Sequence, residues 1–163
     1  MAKRWIALVV VALLVVALLA TANAASAQIR VSPARHEFRF HGALGPGPGH
    51  TVAEFGATVT LANDAGTILS VTLAAGACVD RGTSCLYRNP LATPATGGIT
   101  LFRMRFSTGK ICKVSYGDLS AATTAHMIVN VVIPSTPFQD YEVDANFTLT
   151  KKGWLLRDND PQW

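Results

Sequence analysis

The stretch Tyr141-Glu142-Val143-Asp144-Ala145-Asn146-Phe147-Thr148-Leu149-Thr150 decides the fold class of this chain. Apolar and polar residues alternate over its whole length, which is the period of a β-strand with one buried face. The apolar positions are Tyr141, Val143, Ala145, Phe147 and Leu149. The turn Lys151-Lys152-Gly153 then reverses the chain, and we predict that Trp154 and Leu156 lie against this apolar face.

The same period recurs along the rest of the chain. Thr67–Ala74 and Ile99–Phe106 alternate in the same way, and turn residues separate such segments at intervals of roughly 8 to 12 residues. Ala125–Ile133 is the most apolar segment, which predicts a central strand buried on both faces. Thr51–Leu61 is also predicted as a strand, and a helical turn is plausible only at 118–124. We therefore predict an all-β fold, with a single antiparallel β-sandwich as first choice and a closed β-barrel as second.

The first 24 residues differ in composition from the rest of the chain. Twenty of them are apolar and none is acidic. Lys3 and Arg4 precede the apolar run Trp5–Leu19, and small-residue sites follow at 22–24 and 25–27. This order is typical of a secretory signal peptide, so we predict an N-terminal hydrophobic signal helix within 1–27 and a secreted, periplasmic or cell-surface protein. The alternative is an uncleaved signal-anchor, because the run is nearly long enough to cross a bilayer.

The remaining chain is long enough for one domain with its own core, which we place at 28–157, followed by a frayed tail at 158–163. Without Lys3 and Arg4 the formal net charge falls from +4 to +2, and no run of like charges is left. This charge pattern argues against a nucleic-acid partner. We expect partners among envelope or surface proteins, or self-assembly, and membrane contact only through an uncleaved signal segment.

Three cysteines, Cys78, Cys85 and Cys112, would meet oxidising conditions after export. Cys78 and Cys85 flank the polar loop 79–84, whose Asp and Gly favour a tight reversal that brings the loop ends together. We therefore predict a Cys78–Cys85 disulfide, with a bridge from either residue to Cys112 as the alternative. The spacing does not match a zinc site.

Three histidines, His36, His41 and His50, fall within fifteen residues around a Gly-Pro loop. Imidazoles bind copper, nickel and zinc, so an exported metal-handling protein or enzyme that uses these three residues is the alternative function. Surface histidines are common beside such loops, and we predict no metal and no cofactor. His36–Phe40 is predicted as a strand with His36 on the face of Phe38 and Phe40.

The sequence contains no nucleophile that is visibly paired with a base and a third orienting group. Residues 117–120 are predicted as a turn, and Glu142 and Asp144 share the outward face of one strand, where they would protect a sheet edge rather than converge in a cleft. We therefore predict no enzyme and no catalytic residues. The expected function is an exported, non-catalytic β-sandwich module in envelope or surface assembly, adhesion or ligand binding.

Ile29–Pro33 followed after a loop by Val59–Asn63 resembles the opening two strands of bacterial immunoglobulin-like domains, including the first domain of fimbrial chaperones. The resemblance implies an immunoglobulin-like sandwich. In those chaperones an arginine shortly after the opening strand anchors the terminal carboxylate of a pilus subunit, and Arg35 stands at a similar position. Fimbrial chaperones have two domains, whereas this chain has one.

Overall fold

The computed structural model describes residues 27–43, 49–135 and 139–158. Short turns join most of its strands, which are β1 (Ala27–Ser32), β2 (Glu37–Ala43), β3 (Ala57–Asn63), β4 (Gly66–Leu73), β5 (Val79–Asp80), β6 (Ser84–Arg88), β7 (Gly98–Arg105), β8 (Lys110–Tyr116), β9 (His126–Ile133), β10 (Gln139–Asn146), β11 (Thr148–Thr150) and β12 (Gly153–Asp158). A 3-10 turn covers Pro33–Arg35, and the helix α1 covers Gly49–Phe55. Within the described ranges no helix has both the length and the apolar character needed to cross a membrane.

The strands form two antiparallel sheets. The eight-stranded sheet has the order β11-β12-β1-β2-β8-β7-β6-β5, and the four-stranded sheet has the order β10-β9-β3-β4. Because the sheets stay separate, the predicted all-β sandwich is confirmed, and the alternative of a closed barrel is wrong. The predicted signal helix lies outside the described residues, apart from Ala27, which begins β1.

The core lies between the inner faces of the two sheets. Both sheets contribute residues that are almost completely buried, including Ile29, Phe38, Phe40, Phe102 and Met104 from the eight-stranded sheet and Val59, Leu61, Met127 and Val129 from the four-stranded sheet. These residues come from alternating patterns, so the period of two in the sequence correctly identifies much of the core.

The decisive stretch 141–150 does not form one strand. β10 ends at Asn146 in the four-stranded sheet, and β11 begins at Thr148 in the eight-stranded sheet. Phe147 lies between them, buried, with its N–H donating to the carbonyl oxygen of Ala125 at 2.8 Å. The chain therefore crosses from one sheet to the other at Phe147. Leu149 is 65% exposed, so the prediction that it shares the buried face was wrong.

The prediction of a strand over Thr51–Leu61 was wrong in its first half, which belongs to α1. Gly56 ends the helix with φ +76°, and a Cβ at this position would collide with the carbonyl oxygen of Leu73. Val52 on α1 is fully buried. Packing of this turn against the core therefore outweighs the strand preference of its β-branched residues.

Three smaller predictions are also corrected by the structure. His36 precedes β2 in a left-handed conformation (φ 53°) and is exposed, so it does not share the face of Phe38. β9 lies inside its sheet as expected, but its outward residues are only half-buried. Asp158 still pairs with Ala27 in β12, so the frayed tail cannot begin there, and residues after it lie outside the described part.

Candidate functional site

The charged side chains of the sandwich are separated between its two outer faces. Alternation and register place seven basic residues on the outer face of the eight-stranded sheet, which we call the arginine face: Arg30, Arg39, Arg88, Arg103, Arg105, Lys110 and Arg157. Glu37 is the one carboxylate that the same alternation places on this face in the described strands. No such cluster is visible in the sequence, because the residues come from six different strands.

The Glu37 carboxylate is already paired with an arginine of the same face. Arg39 donates to both of its oxygens, through Nε at 2.7 Å and Nη2 at 2.8 Å. This bidentate contact raises the pKa of Arg39, and Glu37 is itself buried. Glu37 is therefore paired with Arg39 rather than with the other basic side chains of the arginine face.

The outer face of the four-stranded sheet has the opposite charge, and we call it the acidic face. Asp140, Glu142 and Asp144 project from β10 and are exposed, and Asp64 lies in the turn between β3 and β4. The four strands of this sheet contain no Lys and no Arg. As predicted, Glu142 and Asp144 lie on the outward side of an edge strand.

A shallow hollow of about 370 Å³ lies on the arginine face over β6, β7 and β8. It is lined by three arginines, two hydroxyl- or thiol-bearing residues and two leucines, namely Arg81, Arg88, Arg103, Ser84, Cys112, Leu86 and Leu101. The strand register explains the convergence, because Arg103 lies directly opposite Leu86 on one side and Cys112 on the other. Arg88 lies opposite Leu101 in the next row.

Arg81 reaches the hollow from the loop that the disulfide closes. Cys78 and Cys85 are bonded, as the loop between them favoured, while Cys112 remains a free, half-buried thiol. Within the loop, the Arg81 N–H donates to the Ser84 carbonyl at 2.8 Å, and the Asp80 carboxylate accepts the Gly82 N–H at 2.6 Å. The bridge therefore fixes the loop whose arginine completes the hollow.

The three arginines of the hollow are available for an anion. In the described part of the chain, none of them has a carboxylate within 4.0 Å, whereas Arg39 and His126 both do. Guanidinium groups bind carboxylate, sulfate and phosphate oxygens through paired N–H donors. Leu86 and Leu101 add apolar surface beside these arginines, so the hollow is suited to a negatively charged group.

Lys113 on β8 is the unexpected residue beneath this face. It points into the core, is 0% exposed, and its Nζ has no hydrogen-bond partner in the described structure. Burial lowers the pKa of Lys113 well below its ordinary value, because the charged form loses its hydration inside the core. Its enclosure argues for a structural effect on stability rather than a binding role.

The more apolar set of side chains on β8 is not the set that faces the core. Cys112, Val114 and Tyr116 form the more apolar set, but they lie half-buried on the outer face, and the set that contains Lys113 faces the core. Register with Phe40 on β2 and Phe102 on β7 places Lys113 inside. No local signal identifies this buried position, because the alternation of Lys113 with Cys112 and Val114 favours an outward lysine.

The histidines singled out in the sequence do not form a site. His41 lies exposed on the arginine face of β2, and His36 lies directly before β2, separated from His41 by about 16 Å of extended chain. The side chain of His50 lies outside the described part. Among the side chains that the structure describes, no three His, Cys, Asp or Glu residues form a group that could hold a metal ion. Arg35 is exposed at the end of the 3-10 turn that precedes β2.

His126 makes the contacts that sequence reasoning missed. Its Nδ1 lies 2.7 Å from Asp64 and its Nε2 lies 2.6 Å from Asp144, while the adjacent Met127 is buried on the other side of β9. The hydrogen bonds to the two carboxylates raise the pKa of His126. This pair of contacts ties the turn between β3 and β4 to the edge strand β10.

No protein-family model matches this chain, and neither does any curated protein or solved structure.

Proposed function

We propose that this chain is an exported, non-catalytic β-sandwich module that acts at the envelope or cell surface by binding an anionic partner on its arginine face. The single observation that carries the proposal is the segregation of charge between the two outer faces. Charges of both signs are interspersed on a typical solvated surface, whereas a large field of one sign attracts a partner of the opposite charge. The immunoglobulin-like relationship is part of this proposal and draws support from the two antiparallel sheets.

The shape of the site indicates the kind of partner. The hollow is shallow and its arginines are exposed, so it does not enclose a small molecule in the way that a cofactor pocket does. The remaining cations of the face extend the positive surface across β1, β2 and β12. A partner that presents several anionic groups on one surface would use the whole face, with one group seated among Arg81, Arg88 and Arg103.

A charge-matched pair of variants tests this proposal. Arg81→Gln/Arg88→Gln/Arg103→Gln removes three positive charges from the hollow, and Arg35→Gln/Lys151→Gln/Lys152→Gln removes three exposed charges from other parts of the surface. Heparin is the anionic probe, uncharged dextran is the control ligand, and affinity is measured at several salt concentrations. We expect the hollow variant to lose about tenfold or more in affinity, since several charge-assisted hydrogen bonds disappear together. Equal losses in both variants would show that only net charge matters and would overturn the proposal.

The reactivity of Cys112 provides a second, independent test of the positive charge in the hollow. A thiol reagent with carboxylate groups should react with Cys112 faster than an uncharged reagent of similar intrinsic reactivity, because the three arginines concentrate anions beside it. Added salt should reduce this preference, since exposed charges are screened. The Arg81→Gln/Arg88→Gln/Arg103→Gln variant should lose the preference, and an unchanged preference in that variant would contradict the assignment.

A further inference from the structure

The two outer faces match each other in more than charge. On the acidic face, one cross-strand row runs Asp144, Ile128, Ala62, over β10, β9 and β3. On the arginine face, a row runs Arg88, Leu101, Val114, over β6, β7 and β8. Each row places one charged residue beside two apolar, half-buried side chains, and Asp144 also contacts Nε2 of His126 at 2.6 Å. Neighbouring strands in both sheets are spaced by about 4.8 Å, so the two rows have the same repeat.

The match continues along the strands. Asp140, Glu142 and Asp144 occupy alternate positions of β10 and repeat about every 6.8 Å, as do Arg103 and Arg105 on β7. Two sheet faces that stack at about 10 Å can place such rows within reach of long arginine side chains. The half-buried apolar residues between the charges would lose water in the same contact.

We propose that the anionic partner of the arginine face is the acidic face of a second copy of this chain. This inference rests on the proposed function, because it names the partner of the same face. The contact is heterologous, since each copy uses a different face toward each neighbour. A pair of bound copies therefore still presents one free arginine face and one free acidic face, and such contacts build open stacks unless the rotation between copies closes a ring.

Charge complementarity favours a contact between the arginine face of one copy and the acidic face of another over a contact between two like faces. Two arginine faces would repel each other, and two acidic faces would do the same, so a symmetric face-to-face dimer is disfavoured. Individual exposed ion pairs contribute little, but the arginine face offers several cations around an apolar centre. The association should therefore be weak at physiological salt and strong where proteins are crowded or locally tethered.

Two complementary charge reversals test the inference on the exported protein. The first variant, Arg88→Glu/Arg103→Glu, makes the hollow negative, and the second, Asp140→Lys/Glu142→Lys, cancels the net negative charge of the acidic face, because two lysines then offset Asp64 and Asp144. All four positions are exposed, and circular dichroism with thermal melts would confirm that both variants fold. Sedimentation velocity at about 20 mM and about 500 mM salt then reports the association state, since the Debye length changes severalfold over this range.

The expected result has a specific pattern. The unaltered protein should associate at low salt and dissociate at high salt, with the association constant falling about tenfold or more. Each variant alone should remain monomeric, because the hollow of the first variant is no longer positive and the acidic face of the second is no longer negative. An equimolar mixture of the two variants should form pairs at low salt, since the unaltered arginine face of the second variant meets the unaltered acidic face of the first. Association of either variant alone, or no association in the mixture, would overturn the inference.

The heparin measurement separates this inference from the proposed function. Asp140→Lys/Glu142→Lys keeps its arginine face and should bind heparin at least as well as the unaltered protein. If the unaltered protein is monomeric at low salt but binds heparin through the hollow, self-association is wrong and the anionic partner is another molecule. If the hollow variant also binds heparin normally, the proposed function fails too.

Discussion

The Nζ atom of Lys113 lies 4.3 Å from the centroid of the Phe38 ring, inside the core of the sandwich. An ammonium group can interact favourably with an aromatic face, but this contact does not replace the water that the charged form loses on burial. Burial therefore lowers the pKa of Lys113, so the folded chain holds this proton less tightly than the unfolded chain does.

Lys113 should make the protein less stable at neutral than at alkaline pH. Between the lowered folded pKa and the unfolded value near 10.4, the unfolded chain holds one proton more than the folded chain, so the free energy of unfolding rises with pH. The contribution to the slope is up to about 1.4 kcal/mol per pH unit. Lys113→Met keeps an unbranched apolar side chain, and we expect it to stabilise the protein at pH 7 and to flatten this slope. Urea unfolding from pH 7 to 9.5 provides the measurement.

Lys110→Met is the matched control, because Lys110 lies on the same strand but is exposed. It should leave both the stability at pH 7 and the slope nearly unchanged. Equal slopes in Lys113→Met and the unaltered protein would show that Lys113 is hydrated in the folded state.

His126 should stabilise the fold most at acidic pH. Its raised pKa means that the folded protein binds the proton more tightly than the unfolded chain does, through the contacts with Asp64 and Asp144. The contribution is complete below the unfolded pKa of about 6.5 and is lost as pH rises through the folded pKa. We expect the stability difference between the unaltered protein and His126→Gln to shrink between pH 5 and pH 9. In an NMR titration, Asp64→Asn/Asp144→Asn should lower the pKa of His126, and no change would contradict the assigned contacts.

Phe147 and Leu149 should respond very differently to truncation, although the sequence places them on one apolar face. Phe147 is 3% exposed at the crossing between the sheets, whereas Leu149 is 65% exposed on β11. Phe147→Ala should lower the free energy of unfolding by about 3 to 5 kcal/mol, through lost burial and the cavity left behind. Leu149→Ala and Thr148→Ala should each cost well under about 1 kcal/mol. Similar costs for Phe147→Ala and Leu149→Ala in urea melts would mean that the strand does not switch sheets.

The mature chain should begin at Ala25 rather than at Gln28. The sequence offers cleavage after Ala24 or after Ala27, and the structure distinguishes the two sites. Ala27 is 3% exposed, pairs with Asp158 in β12, and contacts the position where a side chain of Gly42 would lie. Cleavage after Ala27 would remove a buried strand residue, whereas cleavage after Ala24 keeps β1 complete. Intact mass of protein from its native compartment checks this, and a first residue at Gln28 or Met1 would refute it.

The sequence by itself determined the local features of this protein. A period of two in β7, β9 and β10 identified strands and much of the core, because alternation follows from the geometry of a single strand. The polar loop 79–84 similarly indicated the Cys78–Cys85 bridge, since both partners are close in the chain. The sequence did not identify the helix α1, which ends at Gly56. Packing of this helix against the core outweighs the strand preference of its β-branched residues.

Only the tertiary structure decided which face of each strand is inside and which charges become neighbours. Cys112 lies between His41 and Arg103 because β8 pairs with β2 and β7, and this register also buries Lys113. The arginine face collects single residues from strands that are far apart in the sequence, so no local window contains it. Similarly, apolar and polar residues alternate over the whole of 141–150, although the chain changes sheets at Phe147. The physical reason is that alternation fixes only the relative orientation of residues in one strand, whereas sheet membership and pairing depend on contacts with distant strands.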